Sequence, residues 1–294
     1  MNRTLGVALA AIIAISATTA AQAADKLALV LSTLNNPFFV TLRDGAAAKA
    51  KELGYDLVVL DSQNDPAKEL SNVEDVLNQN VKLLMLNPAD SDAAKASVVA
   101  ANQKKVPVIT LDRSANGGDV VTHIASDNVA GGAMAADLVN KKLGGKGNVV
   151  ELEGIPGASA ARDRGKGFGD EIAGAPGIKI IASQTANFDR TQGLTVMENI
   201  LQAQPNIDAV FAQNDEMALG AVKAIQAANR KIVVVGFDAT DDAVAAVKAG
   251  SMYATIAQQP AMIGSLGVDA ADKVLKGQSV PKYTPVPLKV VGGE

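Results

Sequence analysis

Polar and aromatic residues able to hold a small molecule gather at the ends of apolar runs in this sequence. They are Ser32, Asn36, Phe38, Phe39, Asn87, Asp112, Arg113, Ser126, Asn187, Phe188, Asn214, Asp238 and Gln258. The set is rich in planar amides, carboxylates and guanidinium. A carboxylate or amide can bridge two adjacent hydroxyls, and Arg supplies paired donors. The C–H faces of a sugar are apolar and suit flat aromatic rings. The chemistry therefore fits a small neutral polyol better than a phosphate, a metal or a peptide. The densest stretch is Ser32-Thr33-Leu34-Asn35-Asn36-Pro37-Phe38-Phe39. It spends two Phe at one strand end in a chain with six Phe, three Tyr and no Trp.

Each residue also has a plainer role. Asp, Asn and Ser at a strand end commonly cap the next helix or form a turn, and the Phe pair can be core. Asp127 and Asp215 are read as helix caps, and His123, inside an apolar strand, as a structural histidine. Asp112-Arg113 puts opposite charges directly after an apolar run, with a surface ion pair as the plain alternative. Glu151 and Glu153 alternate along a strand and are read as its solvated end, with a general acid–base pair as the alternative. Gly165-Lys166-Gly167-Phe168-Gly169 looks like part of a dinucleotide fingerprint, but it sits within a helical stretch and not directly after a strand. No Walker A pattern, activated nucleophile or paired His is present. No catalytic residue, cofactor or metal site is expected.

These residues must be positioned by alternating strands and helices. Strands are expected over 27–31, 57–60, 83–86, 106–111 and 120–125, with helices over 40–53, 66–79 and 91–102, the last capped by Ser91. A second series follows. Its helices cover 129–143, 159–172, 191–203, 216–228 and 241–249. Its strands cover 149–152, 178–183, 209–212, 232–235 and 253–257. A helix over 261–275 and one last strand over 286–291 complete the chain. Apolar strands alternating with amphipathic helices mean parallel sheets covered on both faces. Two runs of this length suit two doubly wound α/β lobes better than one oversized sheet. Ligands in such sheets bind beyond the carboxyl ends of the strands, where the polar set lies.

The 294 residues are 48% apolar and 20% charged, with net charge −4 and both signs dispersed. No Lys/Arg cluster is visible, so nucleic acid is not an expected partner. The sequence has no Cys and a single His, which removes disulfides, thiolate chemistry and multi-His metal sites. Arg3, the apolar run Leu5 to Ile15 and the small-x-small triplet Ala21-Gln22-Ala23 form a signal peptide pattern. Residues 1–23 are expected to be a leader cleaved after Ala23, so that the mature protein is exported.

Several blocks together resemble a known family. They are the octet at Ser32, Thr110-Leu111-Asp112-Arg113, Ile124-Ala125-Ser126-Asp127-Asn128, Phe188-Asp189-Arg190, Ala212-Gln213-Asn214-Asp215-Glu216-Met217-Ala218 and Gly236-Phe237-Asp238. In order and spacing they are similar to the periplasmic D-ribose-binding proteins, the substrate-binding components of bacterial sugar ABC importers. The resemblance implies the periplasmic binding protein type 1 fold, two parallel-sheet lobes joined by a three-crossover hinge. The lobes would be 24–126 with 259–286 and 127–258 with 287–294. The resemblance adds Ile155 and Arg164 to the site. It implies that Phe38 and Phe188 stack on the two sugar faces, while Asp112, Arg113, Arg164, Asn214, Asp238 and Gln258 bond hydroxyls and ring oxygen. It further implies D-ribose as ligand, a membrane permease as partner, a chemoreceptor as a candidate second reader, and a monomeric state. The alternatives are another pentose, furanose or allose-like sugar, or the core of a sugar-responsive repressor. The latter is disfavoured because residues 1–23 hold no DNA-reading element.

Overall fold

The computed structural model describes residues 24–294. The expected leader and its cleavage point fall outside the described residues. The chain begins with β1 (Lys26–Leu31), α1 (Pro37–Leu53), β2 (Asp56–Asp61), α2 (Pro66–Leu77), β3 (Leu83–Leu86), α3 (Ala94–Gln103), β4 (Val108–Leu111) and β5 (Thr122–Ser126). Next come α4 (Asn128–Leu143), β6 (Gly147–Glu153), α5 (Ser159–Ala173), β7 (Ile178–Thr185), α6 (Arg190–Ala203), β8 (Ala209–Ala212) and α7 (Asp215–Ala227). The rest is β9 (Val233–Asp238), α8 (Asp241–Lys248), β10 (Ala254–Ala257), α9 (Pro260–Leu275), β11 (Tyr283–Val286) and β12 (Lys289–Gly292).

The strands form two six-stranded sheets, ordered β11-β5-β4-β3-β1-β2 and β12-β10-β9-β8-β6-β7. Neighbours run parallel except β12, which is antiparallel to β10. The alternation of side chains along β1 shows why both faces need cover. Leu27, Leu29 and Leu31 pack with α1 and α9, whereas Ala28 and Val30 pack with α2 and α3. In the second sheet Val150 and Leu152 face α6 and α7, and Val149 faces α4 and α5. A fully buried Leu contributes about 1.5–3 kcal/mol relative to an exposed one, so a register slip of one residue would be costly. The chain passes between the sheets three times: after β5, after β10 and between β11 and β12.

Two local expectations need correction, and the helical reading of Gly165–Gly169 holds. The final strand is two: Pro287-Leu288 separates β11 from β12, and each joins a different sheet. Proline has no amide to donate to a ladder, which favours a break there. Helix α3 begins at Ala94, not at Ser91, and Ser91 does not cap it. Asp90 Oδ1 instead accepts from the amides of Asp92 and Ala93. The Gly165–Gly169 motif lies in α5, where Gly167 lets α4 approach. A Cβ there would strike the Val129 carbonyl oxygen.

Candidate functional site

The strand ends of both sheets face one another across a small cavity. It is lined by Asn36, Phe38, Phe39, Asp112, Arg113, Ala160, Arg164, Phe188, Asn214, Asp238 and Gln258. On the first sheet's side, Asn36 Oδ1 caps α1 by accepting from Phe38 N at 2.9 Å, with Pro37 as the first helical residue. Phe38 and Phe39 are buried, their rings edge to face with centroids 5.1 Å apart. Asp112 and Arg113 follow β4. On the second sheet's side, Asn214 caps α7 by accepting from Met217 N at 2.9 Å and donates to Phe188 O at 3.2 Å. Asn36 and Asn214 therefore cap helices and line the cavity at once. Asp238 ends β9, Gln258 follows β10, and α5 presents Ala160 and Arg164.

Three lining residues hold positive-φ backbone. Asp112 has φ 61°, Phe188 φ 58° and Asp238 φ 123°. Such conformations cost about 1–3 kcal/mol each in non-glycine residues and persist where surrounding contacts enforce them.

Two carboxylates and two guanidiniums are buried in the lining, so the formal charges cancel. The ion pairs are long: Arg113 Nε lies 3.8 Å from Asp112 Oδ2, and Arg164 Nη1 lies 3.9 Å from Asp238 Oδ1. Neither distance is a hydrogen bond. Asp112 Oδ1, Arg113 Nε and Gln258 Oε1 are buried with no hydrogen-bond partner in the protein. Leaving such groups unbonded costs about 1–3 kcal/mol apiece. Burial pushes both carboxyls above the usual carboxylate range, and the neighbouring arginines oppose that rise. Burial likewise lowers both guanidiniums, Arg113 to about 10.

Surrounding groups hold these side chains in place. Ser32 donates to Asn87 Oδ1 through its amide at 3.1 Å and its hydroxyl at 2.7 Å. Asn87 Nδ2 donates to Leu111 O at 3.0 Å and to Asp112 Oδ2 at 3.3 Å. Arg164 Nε donates to Asn128 Oδ1 at 2.8 Å, its Nη1 donates to Gln213 O at 2.7 Å, and its guanidinium covers the Phe237 ring at 3.8 Å. Gln258 Nε2 donates to Asp238 Oδ1 at 2.7 Å. The Phe188 ring occupies the space where Gly154 would carry a Cβ, so only glycine fits there. The Arg113 guanidinium lies 5.1 Å from the Phe39 ring centroid and 5.4 Å from that of Phe188.

Not every expected residue lines this cavity. Ser32 and Asn87 stand behind Asp112. Ile155 and the exposed part of Asn187 border an adjoining cleft with Asn36, Phe39 and Phe188. Ser126 is buried at the end of β5, its hydroxyl without a partner. Asp215 does not cap α7. It is fully buried in the first turn and accepts from the hydroxyls of Thr255 and Thr240 and from Thr240 N. Glu151 is not solvated either. It is 5% exposed, accepts from Gln213 Nε2 at 2.8 Å, and burial raises its carboxyl to about 7. Asp127 does cap α4, accepting from Ala130 N at 3.0 Å. His123 Nδ1 lies 2.9 Å from Thr110 Oγ1, its ring stacks on Tyr283, and burial lowers it to about 4. Ala160, Asn128, Gln213 and Phe237 were not expected at the site. Gln213 and Phe237 each precede a strand-end residue that was, whereas Ala160 and Asn128 lie in helices and carry no signal of their own.

Two doubly wound lobes, three connections and a polar, ring-lined cavity between opposed strand ends define a two-lobed, ligand-enclosing binding protein. The family model described as a periplasmic binding protein domain matches residues 27–279, and the chain belongs to that family. A relative from Haemophilus influenzae named ribose import binding protein RbsB is 56% identical over 99% of each chain. One of the same name from Bacillus subtilis is 52% identical over 89% of this chain and 85% of its own. Among solved structures, an ABC transporter periplasmic solute-binding protein from Actinobacillus succinogenes with bound D-allose superposes with TM-score 0.86 at 34% identity. That match covers 92% of this chain and 98% of the other.

Proposed function

We propose that this protein captures D-ribose between its lobes in the periplasm, after losing residues 1–23, and delivers it to an ABC-type membrane permease. The observation that carries the reading is the cluster of buried groups short of hydrogen bonds: Asp112 Oδ1, Arg113 Nε and Gln258 Oε1, all at one cavity. A polyol supplies both donors and acceptors to such groups, and the cancelling charges favour a neutral one. The names of relatives more than half identical over most of the chain support ribose in particular. In this reading Asn36, Asp112, Arg113, Arg164, Asn214, Asp238 and Gln258 bond the sugar, with Phe38, Phe39 and Phe188 against its C–H faces. Ser32 and Asn87 orient Asp112, Ile155 closes one rim, and Ser126 lies at the first crossing. The rigid bodies are 24–126 with 259–286 and 127–258 with 287–294. Sugar touching both bodies favours the closed state by its differential affinity for that state, and the permease reads the closed form.

A second reading keeps the mechanism and changes the sugar to an allose-like one, as in the solved structure holding D-allose. A melting-temperature panel with D-ribose, D-allose, L-arabinose and D-glucose separates the two. A ligand at a thousandfold excess over its Kd stabilises the folded state by about 4 kcal/mol. The largest rise is expected with ribose. A rise with allose and none with ribose transfers the assignment to the second reading.

A further inference from the structure

Helix α5 carries Ala160 and Arg164, yet its N-terminus has no side-chain cap of its own. The preceding residue, Ala158, offers no oxygen. First-turn amides need acceptors from elsewhere. Here the acceptor comes from the loop after β3, on the first sheet. Ser91 is fully buried, and its Oγ accepts from Ser159 N at 3.2 Å. Ser91 N in turn donates to Gly157 O at 2.9 Å. Ser114, directly after Arg113, donates its amide to Ser159 Oγ at 2.9 Å. These bonds join the two lobes without using any residue that lines the sugar cavity. They tie the loops bearing Asn87 and Asp112–Arg113 to the helix bearing Arg164.

We propose that Ser91 and Ser159 form an inter-lobe clasp that exists only in the closed protein. It completes the cap of α5, aligns the binding groups of the two lobes, and sets how long a bound sugar is held. The two serines are positioning residues. Opening the lobes strips Ser159 N of its acceptor and Ser159 Oγ of its donor, and water must replace both. The clasp adds to closure whatever the ligand, so it acts on affinity and not on selectivity. Its role in sugar retention rests on the sugar-binding reading above.

The test is stopped-flow release of D-ribose from the protein and from Ser91→Ala, Ser159→Ala and Ser159→Thr. Loss of one inter-lobe hydrogen bond is expected to speed release about three- to tenfold. The association rate and the ribose-to-allose affinity ratio stay unchanged, as does the melting temperature without sugar. Ser159→Thr, which keeps the oxygen, restores slow release. Unchanged release in both alanine variants overturns the clasp. So does a fall in sugar-free melting temperature that accounts for the change. A second arm does not depend on the sugar assignment. The chain has no Cys, so Ala67→Cys and Thr191→Cys, exposed positions at the starts of α2 and α6, accept a fluorophore pair across the cleft. A smaller closed fraction in the sugar-free alanine variants supports the clasp, and an equal fraction contradicts it. If the unaltered protein fails to bind ribose, the sugar assignment fails, and this arm still decides the clasp.

Discussion

Asp112 and Arg113 are adjacent in sequence and each 3% exposed, yet their charged groups stand 3.8 Å apart and form no hydrogen bond. The left-handed backbone at Asp112, φ 61°, turns the carboxylate toward Asn87 while Arg113 lies against the rings of Phe39 and Phe188. A pair built for stability would close that gap. Held open and buried, it leaves Asp112 Oδ1 and Arg113 Nε free to bond a third partner.

Affinity and stability should therefore separate at this residue. Asp112→Asn keeps the shape and removes a buried charge. Ribose affinity is expected to fall at least about a hundredfold, near 3 kcal/mol. The sugar-free protein should lose less than about 1 kcal/mol of stability, because the ion pair it gives up is long. Calorimetric titration and urea unfolding of the same samples measure both. A large stability loss with intact affinity would make Asp112 a structural residue.

Asn214 distinguishes helix capping from ligand binding. Ser is nearly as good an N-cap as Asn, whereas Ala loses about 1 kcal/mol. Asn214→Ser keeps the cap and gives up only the bond to Phe188 O, so it is expected to melt above Asn214→Ala and still bind ribose at least tenfold more weakly than the unaltered protein. Asn214→Ala should lose both. Equal ribose affinity in Asn214→Ser and the unaltered protein would reduce Asn214 to a cap.

Much of this site was legible because its residues sit at strand ends. In a parallel sheet those ends converge, so Asn36, Asp112, Asp238 and Gln258 announce themselves by type and place. The site's supports were less visible. Asn128 and Ala160 lie in helices, and their roles depend on how α4 and α5 pack. Ser91 and Asp215 look like ordinary caps until the loops around them are placed. Glu151 alternates with Glu153 as a solvated edge would, and only α5 lying over it makes it buried. The break at Pro287-Leu288 was written in the proline, but a short apolar run on both sides masked it.

Gly154 seats a ring that the site needs. Gly154→Ala forces the Phe188 ring to move, since a Cβ would occupy its space. Ribose affinity is expected to fall tenfold or more, with fluorescence or calorimetric titration as the readout. An unchanged affinity would mean that Phe188 does not pack on the sugar.

Two buried groups give opposing pH responses. Glu151 titrates near 7 when folded, against an ordinary 4.5. The folded state thus favours its protonated form, and stability falls as pH rises from about 4.5 to about 7, by roughly 3 kcal/mol at most. His123 titrates near 4 when folded, against 6.5. The folded state favours its neutral form, and stability falls as pH drops from about 6.5 to about 4. In Glu151→Gln, unfolding free energy measured from pH 5 to 8 should decline less steeply than in the unaltered protein, the part of the decline due to Asp238, itself pushed up to about 7, remaining. Parallel curves for the variant and the unaltered protein would show that Glu151 titrates normally.

The central claim is that one sugar is bonded by both lobes at once. Calorimetric titration of D-ribose into the protein, Asp112→Asn and Asp238→Asn tests it directly, since the two residues lie on different sheets. One-to-one binding is expected, weakened at least about a hundredfold by each substitution. No heat with ribose in the unaltered protein, or full affinity in either variant, would contradict a ribose site shared between the lobes.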